Sequence, residues 1–111
     1  MNITFTARHF RPHPDIKEHA LDTVKKLGKF FDGIVAANVI LSYERATNSV
    51  KEAEINLHVH GGVLTAKVKS DDYRKSIDKA SEKLTLQLDK YKSKLRAKDK
   101  TKVRLIKEKE A

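Results

Sequence analysis

The stretch that decides the fold covers residues 52–95 and reads EAEINLHVHGGVLTAKVKSDDYRKSIDKASEKLTLQLDKYKSKL. Its first part alternates apolar and polar residues over 52–60 and again over 63–69, which predicts two strands with one buried and one wet face. The pair Gly61-Gly62 separates the two segments. Because glycine adopts positive φ without strain, this pair predicts a tight hairpin turn.

The second part of the stretch has the periodicity of an amphipathic helix, with Ser70 or Asp71 placed to cap it. Its apolar residues fall within about 80° of arc when each residue turns by ~100°. They are Tyr73, Ile77, Ala80, Leu84, Leu88, Tyr91 and Leu95. One flank of this stripe carries Lys75, Lys79, Lys83, Lys90 and Lys94. A separate acidic line of Asp78, Glu82 and Asp89 lies between that flank and Arg74, Lys92 and Arg96.

The segments before residue 52 supply the remaining elements. Residues 2–8 and 37–45 alternate and predict two further strands. Between them, a helix that begins at Pro14 carries the apolar stripe Ile16, Ala20, Val24, Leu27 and Phe31. We expect this helix to end at Asp32-Gly33, with the glycine in a left-handed cap.

The predicted order is therefore β-α-β-β-β-α. Each helix has one apolar stripe and the sheet has one apolar face, so we expect both helices to cover the same face of a four-stranded sheet. This is an α+β two-layer sandwich, assigned to residues 1–96. Residues 97–111 lose the apolar stripe, and we interpret them as a basic, flexible tail that either extends the helix or disorders.

Charge narrows the class of partner. The chain has 111 residues, 24 Lys+Arg against 15 Asp+Glu, and a net charge of +9. Residues 71–111 hold 14 of the basic residues and 8 of the acidic ones. A concentrated positive field indicates an anionic partner, with nucleic acid favoured over an anionic membrane surface.

Composition also excludes several classes of protein. The absence of cysteine excludes a disulfide scaffold, a zinc finger and a thiol nucleophile. The sequence shows neither a signal peptide nor an apolar run long enough to span a membrane, so we expect a cytoplasmic protein. No nucleophile motif and no phosphate-binding glycine loop is present.

Histidine offers the one candidate metal chemistry. His58 and His60 are placed at i and i+2 of a predicted strand, and His9 and His13 flank a loop. A stable site needs further ligands that the spacing does not select, so we interpret these as ordinary polar-face histidines. We therefore expect no enzymatic activity, no small-molecule substrate, no metal and no cofactor.

The aromatic residues separate two modes of nucleic-acid binding. The five that fall on faces predicted to be buried are Phe5, Phe31, Tyr43, Tyr73 and Tyr91. The open sheet face is thus predicted to lack a platform for base stacking, which leaves contact with phosphates.

Two groups of lysines are placed for such contacts. Lys75, Lys79 and Lys83 rise by ~6 Å per step along the helix, comparable to the spacing of phosphates along a strand. The first helix adds Lys25, Lys26 and Lys29. Parallel packing of the two helices would bring both groups side by side.

Several segments are similar to one known family. They are residues 1–6 (MNITFT), 26–33 (ending in FFDG), 40–44 (ILSYE), 56–66 (NLHVHGGVLTA) and 71–95. The HVHGG turn followed by the DDYxxxID helix is the most specific of them. On these segments the chain resembles the ribosome hibernation factors, also called ribosome-associated inhibitors or sigma modulation proteins.

The resemblance implies binding to the small ribosomal subunit at the decoding region. There such proteins contact the ribosomal RNA backbone, occlude messenger and transfer RNA, and silence the ribosome in stress or stationary phase. It implies RNA-binding roles for Lys25, Lys26, Lys75, Lys79, Lys83 and Lys90, with a looser match at Lys29 and Lys94. Many members have Arg where this chain has Leu86, which removes one expected phosphate contact and leaves an exposed apolar side chain.

Two other interpretations stay open. One is a generic double-stranded RNA module, although that class usually begins with a helix and this chain begins with a predicted strand. The other is a basic adaptor for an anionic membrane surface or an acidic protein. Whether the chain promotes or opposes ribosome dimerisation also stays open.

Overall fold

The elements follow the predicted order. The computed structural model describes residues 1–44 and 50–110, with side chains through Lys94. Its elements are β1 (Asn2–Ala7), α1 (Pro14–Phe30), β2 (Ile34–Tyr43), β3 (Lys51–Val59), β4 (Gly62–Ser70) and α2 (Tyr73–Glu110). The predicted connection over 46–49, and the predicted end of a strand at residue 45, lie outside the described residues.

The four strands form one mixed sheet in the order β1-β2-β3-β4. β1 pairs in parallel with β2, and α1 provides the crossover that a parallel pair requires. The pairs β2–β3 and β3–β4 are antiparallel. The register places Phe5, Val39, Ile55 and Ala66 in one row across the sheet, so alternate residues of every strand share one apolar face.

Both helices cover that apolar face, α1 over β1 and β2 and α2 over β3 and β4. On α2, the side chains of Ile77, Ala80, Leu84 and Leu88 have no exposed surface. The predicted two-layer α+β sandwich is confirmed, and so is the rotation of α2 that its apolar periodicity predicts.

The start of β2 differs from the prediction. This strand begins at Ile34, three residues before the predicted start at residue 37. The pairing with β3 shifts between Ile34 and Ala36, where Val35 is exposed. Because this irregularity makes both Ile34 and Ala37 buried, it breaks the period of two on which the prediction relied.

The predicted left-handed glycine cap of α1 is wrong. The helix ends at Phe30, and its C-cap Phe31 is extended, with φ −144° and ψ 110°. Gly33 serves close packing instead, since a Cβ at that position would lie 2.6 Å from Cζ of Phe31. The ring of Phe31 packs edge-on against Tyr91 of α2, with centroids 5.5 Å apart.

The cap of α2 lies just beyond the two predicted residues. Asp72 Oδ1 accepts the backbone N–H of Arg74 at 3.3 Å, and the carbonyl of Asp72 accepts the N–H of Ser76 at 3.0 Å. Ser70 Oγ in turn accepts the N–H of Asp72 at 3.2 Å. Ser70 therefore supports the cap, whereas Asp72 provides it.

The backbone of α2 continues to Glu110, which is one of the two courses expected for the tail. Val103, Leu105 and Ile106, the large apolar residues of the predicted tail, have side chains outside the described residues. The division into a domain over 1–96 and a tail over 97–111 stays a prediction. Neither helix of the described residues is both long and apolar enough to cross a membrane.

The turn between β3 and β4 gives a first test. Gly61 has φ +88°, and a Cβ there would meet nothing within 4 Å. Gly61→Ala is therefore expected to lower the free energy of unfolding by roughly 1–2 kcal/mol through backbone strain alone. Gly62→Ala is the matched control, because that glycine also has open space but no positive φ. Equal losses in chemical denaturation would contradict this account of the turn.

The core of α2 gives a second test. Leu84 is fully buried, so Leu84→Ala is expected to lower the free energy of unfolding by ~2–5 kcal/mol. Leu86 lies two residues on and is 64% exposed. Leu86→Ala is expected to change stability by less than about 0.5 kcal/mol. Comparable losses in urea unfolding would show that the rotation of α2 is wrong.

Candidate nucleic-acid interface

The two helices lie side by side and run in the same direction. His19 Nε2 of α1 lies 2.7 Å from Asp78 Oδ1 of α2. Farther along both helices, Lys92 Nζ donates to the carbonyl of Phe30 at 2.8 Å. Because these contacts occur in the same order on both helices, the axes are parallel, and we call this line of polar contacts the seam.

The five predicted lysines of α2 are all exposed: Lys75, Lys79, Lys83, Lys90 and Lys94. We call them the α2 lysine row. Lys79 follows the seam residue Asp78 and is turned about 100° farther around the helix, away from α1. On the opposite flank from the seam, Gln87 donates to the carbonyl of Thr65 in β4 at 2.9 Å. The row therefore faces solvent between the top of α2 and its β4 side.

The end of the row is held against the β3–β4 hairpin. Lys90 and Lys94 line a shallow groove over β4 together with Leu64 and Tyr91. The hydroxyl of Tyr91 donates to the carbonyl of His60 beside the hairpin turn, at 2.5 Å. The HVHGG turn therefore helps to fix the position of this part of α2.

The charges of the row are largely uncompensated. Lys75 forms an exposed i,i+4 ion pair with Asp71 at 3.4 Å. Among the residues that the structure describes, the other four ammonium groups have no ion pair or hydrogen bond. Exposed ammonium groups without carboxylate partners are suited to contact an external polyanion.

The lysines of α1 form a second exposed group, Lys25, Lys26 and Lys29. Lys25 and Lys29 line a depression with Met1 and Gly28, on the side of α1 that faces the start of β1. All three lysines also line a shallow groove with His19, the residue that contacts Asp78 across the seam. Within the described part of the chain these three side chains have no ion-pair partner.

Acidic side chains lie between the two lysine groups, a feature that adds to the expectation that parallel helices bring these groups side by side. The helices are parallel as expected, but Asp78 lies in the seam between them. Glu82 and Asp89 lie close to the same side of α2 as Asp78, since four or eleven residues return nearly to the same angle at ~100° per residue. The lysine groups are therefore two basic strips with an acidic line between them.

Leu86 interrupts the α2 lysine row. Its side chain is 64% exposed, as expected for a residue on the basic side of the helix. It lies within about 60° of Lys83 and Lys90 around the helix. An apolar side chain therefore occupies a position where a cation would extend the row.

The open face of the sheet is a hydrogen-bonded polar surface. Asn38 bonds to Thr4 on one side and to His58 Nε2, at 3.1 Å, on the other. Lys67 lies 3.4 Å from Glu52 and 3.8 Å from Glu54. No aromatic ring of the described residues lies on this face, and its cations are paired with carboxylates. It offers neither base stacking nor free positive charge.

Local contacts shift the pKa values of two side chains, Lys69 and Tyr73. Lys69 donates to Glu44 at 3.1 Å, and this hydrogen bond raises the pKa of the Lys69 ammonium above its ordinary value. Burial raises the pKa of the Tyr73 phenol, whose hydroxyl donates to the carbonyl of Ser42 at 3.0 Å. Lys69 and Tyr73 are therefore charged and neutral, respectively, at neutral pH.

Two of the four candidate histidines, His13 and His58, have structural partners. His13 Nδ1 accepts the N–H of Asp15 at 3.2 Å and so caps α1. His58 bonds to Asn38, and His60 follows the end of β3 beside the turn. In the described part of the chain, no three residues of the types His, Asp and Glu gather as a metal site would require.

Sequence reasoning missed one basic segment, residues 8–13, because it placed residue 8 in a strand and treated 9–13 as a connection. Arg8 and Arg11 are exposed there, and Phe10 stacks on Tyr73 with ring centroids 5.1 Å apart. A usable signal was the absence of any acidic residue before Asp15.

A mixed four-stranded sheet, two parallel helices on one face and two exposed basic strips define a small basic α+β protein with a surface suited to a polyanion. The family model described as "Sigma 54 modulation protein / S30EA ribosomal protein" matches residues 3–96. The chain belongs to this family. The family is not one of enzymes, in agreement with the prediction that the chain has no enzymatic activity.

Individual relatives agree with this assignment. The chain is 32% identical over 96 residues to the ribosome hibernation promoting factor of Klebsiella oxytoca, across 86% of this chain and 98% of that protein. A ribosomal subunit interface protein from Coxiella burnetii has a similar structure, with a TM-score of 0.76 at 26% identity over 84% of this chain and 99% of that one. The crystal structure of the Thermus thermophilus Protein Y N-terminal domain gives a TM-score of 0.69 at 25% identity, over 82% and 99%.

Proposed function

We propose that this chain is a cytoplasmic, ribosome-binding translation inhibitor of the hibernation type. It contacts small-subunit ribosomal RNA in the decoding region and blocks the binding of messenger and transfer RNA under stress or in stationary phase. Membership of the family and the names of its relatives support ribosome binding. The α2 lysine row is the observation on this chain that supports RNA as the contacted component.

The mechanism is backbone recognition. The unpaired ammonium groups of Lys79, Lys83, Lys90 and Lys94 follow one flank of a helix that the core holds in a fixed rotation. Phosphates that contact such a row release their counterions, which makes the affinity strongly dependent on salt. Because the described open face has no aromatic ring, shape and charge rather than base identity determine the site.

The two basic strips fit a folded RNA better than a single strand. Lys25, Lys26 and Lys29 lie on the exposed surface of α1, beside His19 and beside Met1, whereas the α2 lysine row is turned away from α1. Phosphates that contact both strips would therefore lie on both sides of the acidic line. Ribosomal RNA presents such a surface, and a protein held in it by both helices occupies space that messenger and transfer RNA would need.

Co-sedimentation with separated ribosomal subunits tests the proposal. We expect the chain to pellet with small subunits at modest salt, and prior loading of messenger and transfer RNA to reduce the bound amount. A chain that stays in the supernatant would overturn the proposal. Equal affinity for a generic RNA duplex would favour the double-stranded RNA module, and retention by anionic vesicles alone would favour the adaptor.

The α2 lysine row predicts that removal of its charges weakens binding to the small subunit. Lys79→Ala with Lys83→Ala is expected to weaken small-subunit binding and to make the slope of log affinity against log salt shallower by roughly two. Both side chains are exposed, so thermal unfolding should barely change. The pair Lys17→Ala and Lys69→Ala removes the same charge outside the row and serves as the control. Equal slopes in the two double variants would show that the row is not the contact.

The position of Leu86 within the α2 lysine row predicts that a cation placed there adds a phosphate contact. Leu86→Arg places a cation between Lys83 and Lys90 and is expected to steepen the salt dependence by about one contact. Leu86→Gln removes the apolar side chain without adding charge and should leave the slope unchanged. Filter-binding titrations over a salt series measure both variants. A steeper slope for Leu86→Gln, or an unchanged slope for Leu86→Arg, would contradict the proposed path of the RNA.

A further inference from the structure

We propose that residues 8–13, which we call the 8–13 loop, form a second phosphate-binding surface with Arg8 and Arg11 as its ligands. The inference rests on the proposed function in taking ribosomal RNA as the partner. It adds a contact surface at the end of the sheet where both helices begin, separate from the two lysine strips.

The loop is held in place by an aromatic anchor. The ring of Phe10 stacks on Tyr73, with centroids 5.1 Å apart and planes 8° from parallel. It also meets the ring of Tyr43 edge-on, with centroids 5.7 Å apart. Because Tyr73 is buried at the first turn of α2, the middle of the loop is joined directly to the core.

The backbone on both sides of the anchor is fixed as well. The N–H of Arg8 donates to the carbonyl of Leu41 at 2.9 Å and continues the pairing of β1 with β2. His9 has φ +68°, a left-handed conformation that is unfavourable for a residue other than glycine, and the Tyr43 hydroxyl donates to its carbonyl at 3.3 Å. Such a conformation persists where the surroundings determine it, so the loop is preorganised.

The loop has an excess of positive charge. Arg8 and Arg11 are exposed, and within the described part of the chain their guanidinium groups make no ion pair. The nearby carboxylates are already engaged. Asp15 lies 4.0 Å from Arg74, and Glu44 holds Lys69. Two cations are therefore left without local compensation.

The chemistry of these two cations selects phosphate. A guanidinium is always charged and offers a planar pair of donors that matches two oxygens of a phosphate. Anchoring the loop lowers the conformational entropy that binding would otherwise cost. The open sheet face of the described residues, where Lys67 is paired with Glu52 and Glu54, offers no guanidinium free for phosphate, which makes the loop the better second contact.

The test compares three double variants with the wild type in binding small subunits over a salt series. Arg8→Gln with Arg11→Gln is expected to bind about tenfold more weakly near physiological salt and to lose about two from the slope. Arg8→Lys with Arg11→Lys should keep the slope but bind less tightly than the wild type, since it keeps charge and loses the planar fork. Lys17→Gln with Lys67→Gln, which leaves the Lys69–Glu44 pair intact, is the control for net charge.

Each outcome bears on one claim. If the Gln pair binds with the affinity and slope of the control pair, the 8–13 loop is not a phosphate contact. If the wild type itself fails to bind small subunits, the proposed function is wrong. The same variants titrated with a generic RNA duplex then decide on the loop, and equal slopes for the Gln pair and the control would overturn it. Thermal unfolding of every variant verifies that the fold is kept.

Discussion

The burial of one apolar stripe of α2 on the β3–β4 hairpin sets the arrangement on which the rest depends. Ile77, Leu84 and Leu88 are fully enclosed, so α2 has a single permitted rotation about its axis. That rotation sends the α2 lysine row outward and Asp78 into the seam with α1. The hydrophobic core therefore determines where positive charge is displayed, although no charged residue belongs to it.

The open sheet face and the helical face also differ in whether their positive charges are paired. The open sheet face pairs its lysines with carboxylates, as Lys67 pairs with Glu52 and Glu54. The helical face keeps its lysines free on both sides of an acidic line. A long single strand would meet carboxylates as it crossed from one strip to the other, whereas a folded RNA with phosphates on two sides would avoid them. The arrangement thus favours a structured RNA, and the preorganised 8–13 loop extends that preference to the end of the sheet.

The fold was predictable because its signals are local. The alternation in β3 and β4, the glycine turn and the apolar stripe of α2 each depend on neighbouring residues, and they predict the element order and the buried face. Features that depend on distant residues were not predictable. Pairing with β3 makes β2 irregular at Ile34, and contact with Phe31 explains Gly33.

The candidate site likewise has features that the sequence predicts and features that depend on distant residues. The exposure of all eight predicted lysines follows from helical periodicity, which the sequence contains. Their separation into two strips depends on which flank of α2 faces α1, and the His19–Asp78 contact determines this. The anchoring of Phe10 requires Tyr43 and Tyr73 from two other elements. The periodicity of one segment does not reveal which side chains of different elements come into contact.

Binding of the wild-type chain to isolated small subunits as a function of salt tests the central claim most directly. If the α2 lysine row contacts phosphates, log affinity falls linearly with log salt between about 50 and 200 mM, with a slope of about −4 or steeper. A slope near zero, with tight binding retained at high salt, would show that the contact is not with the RNA backbone.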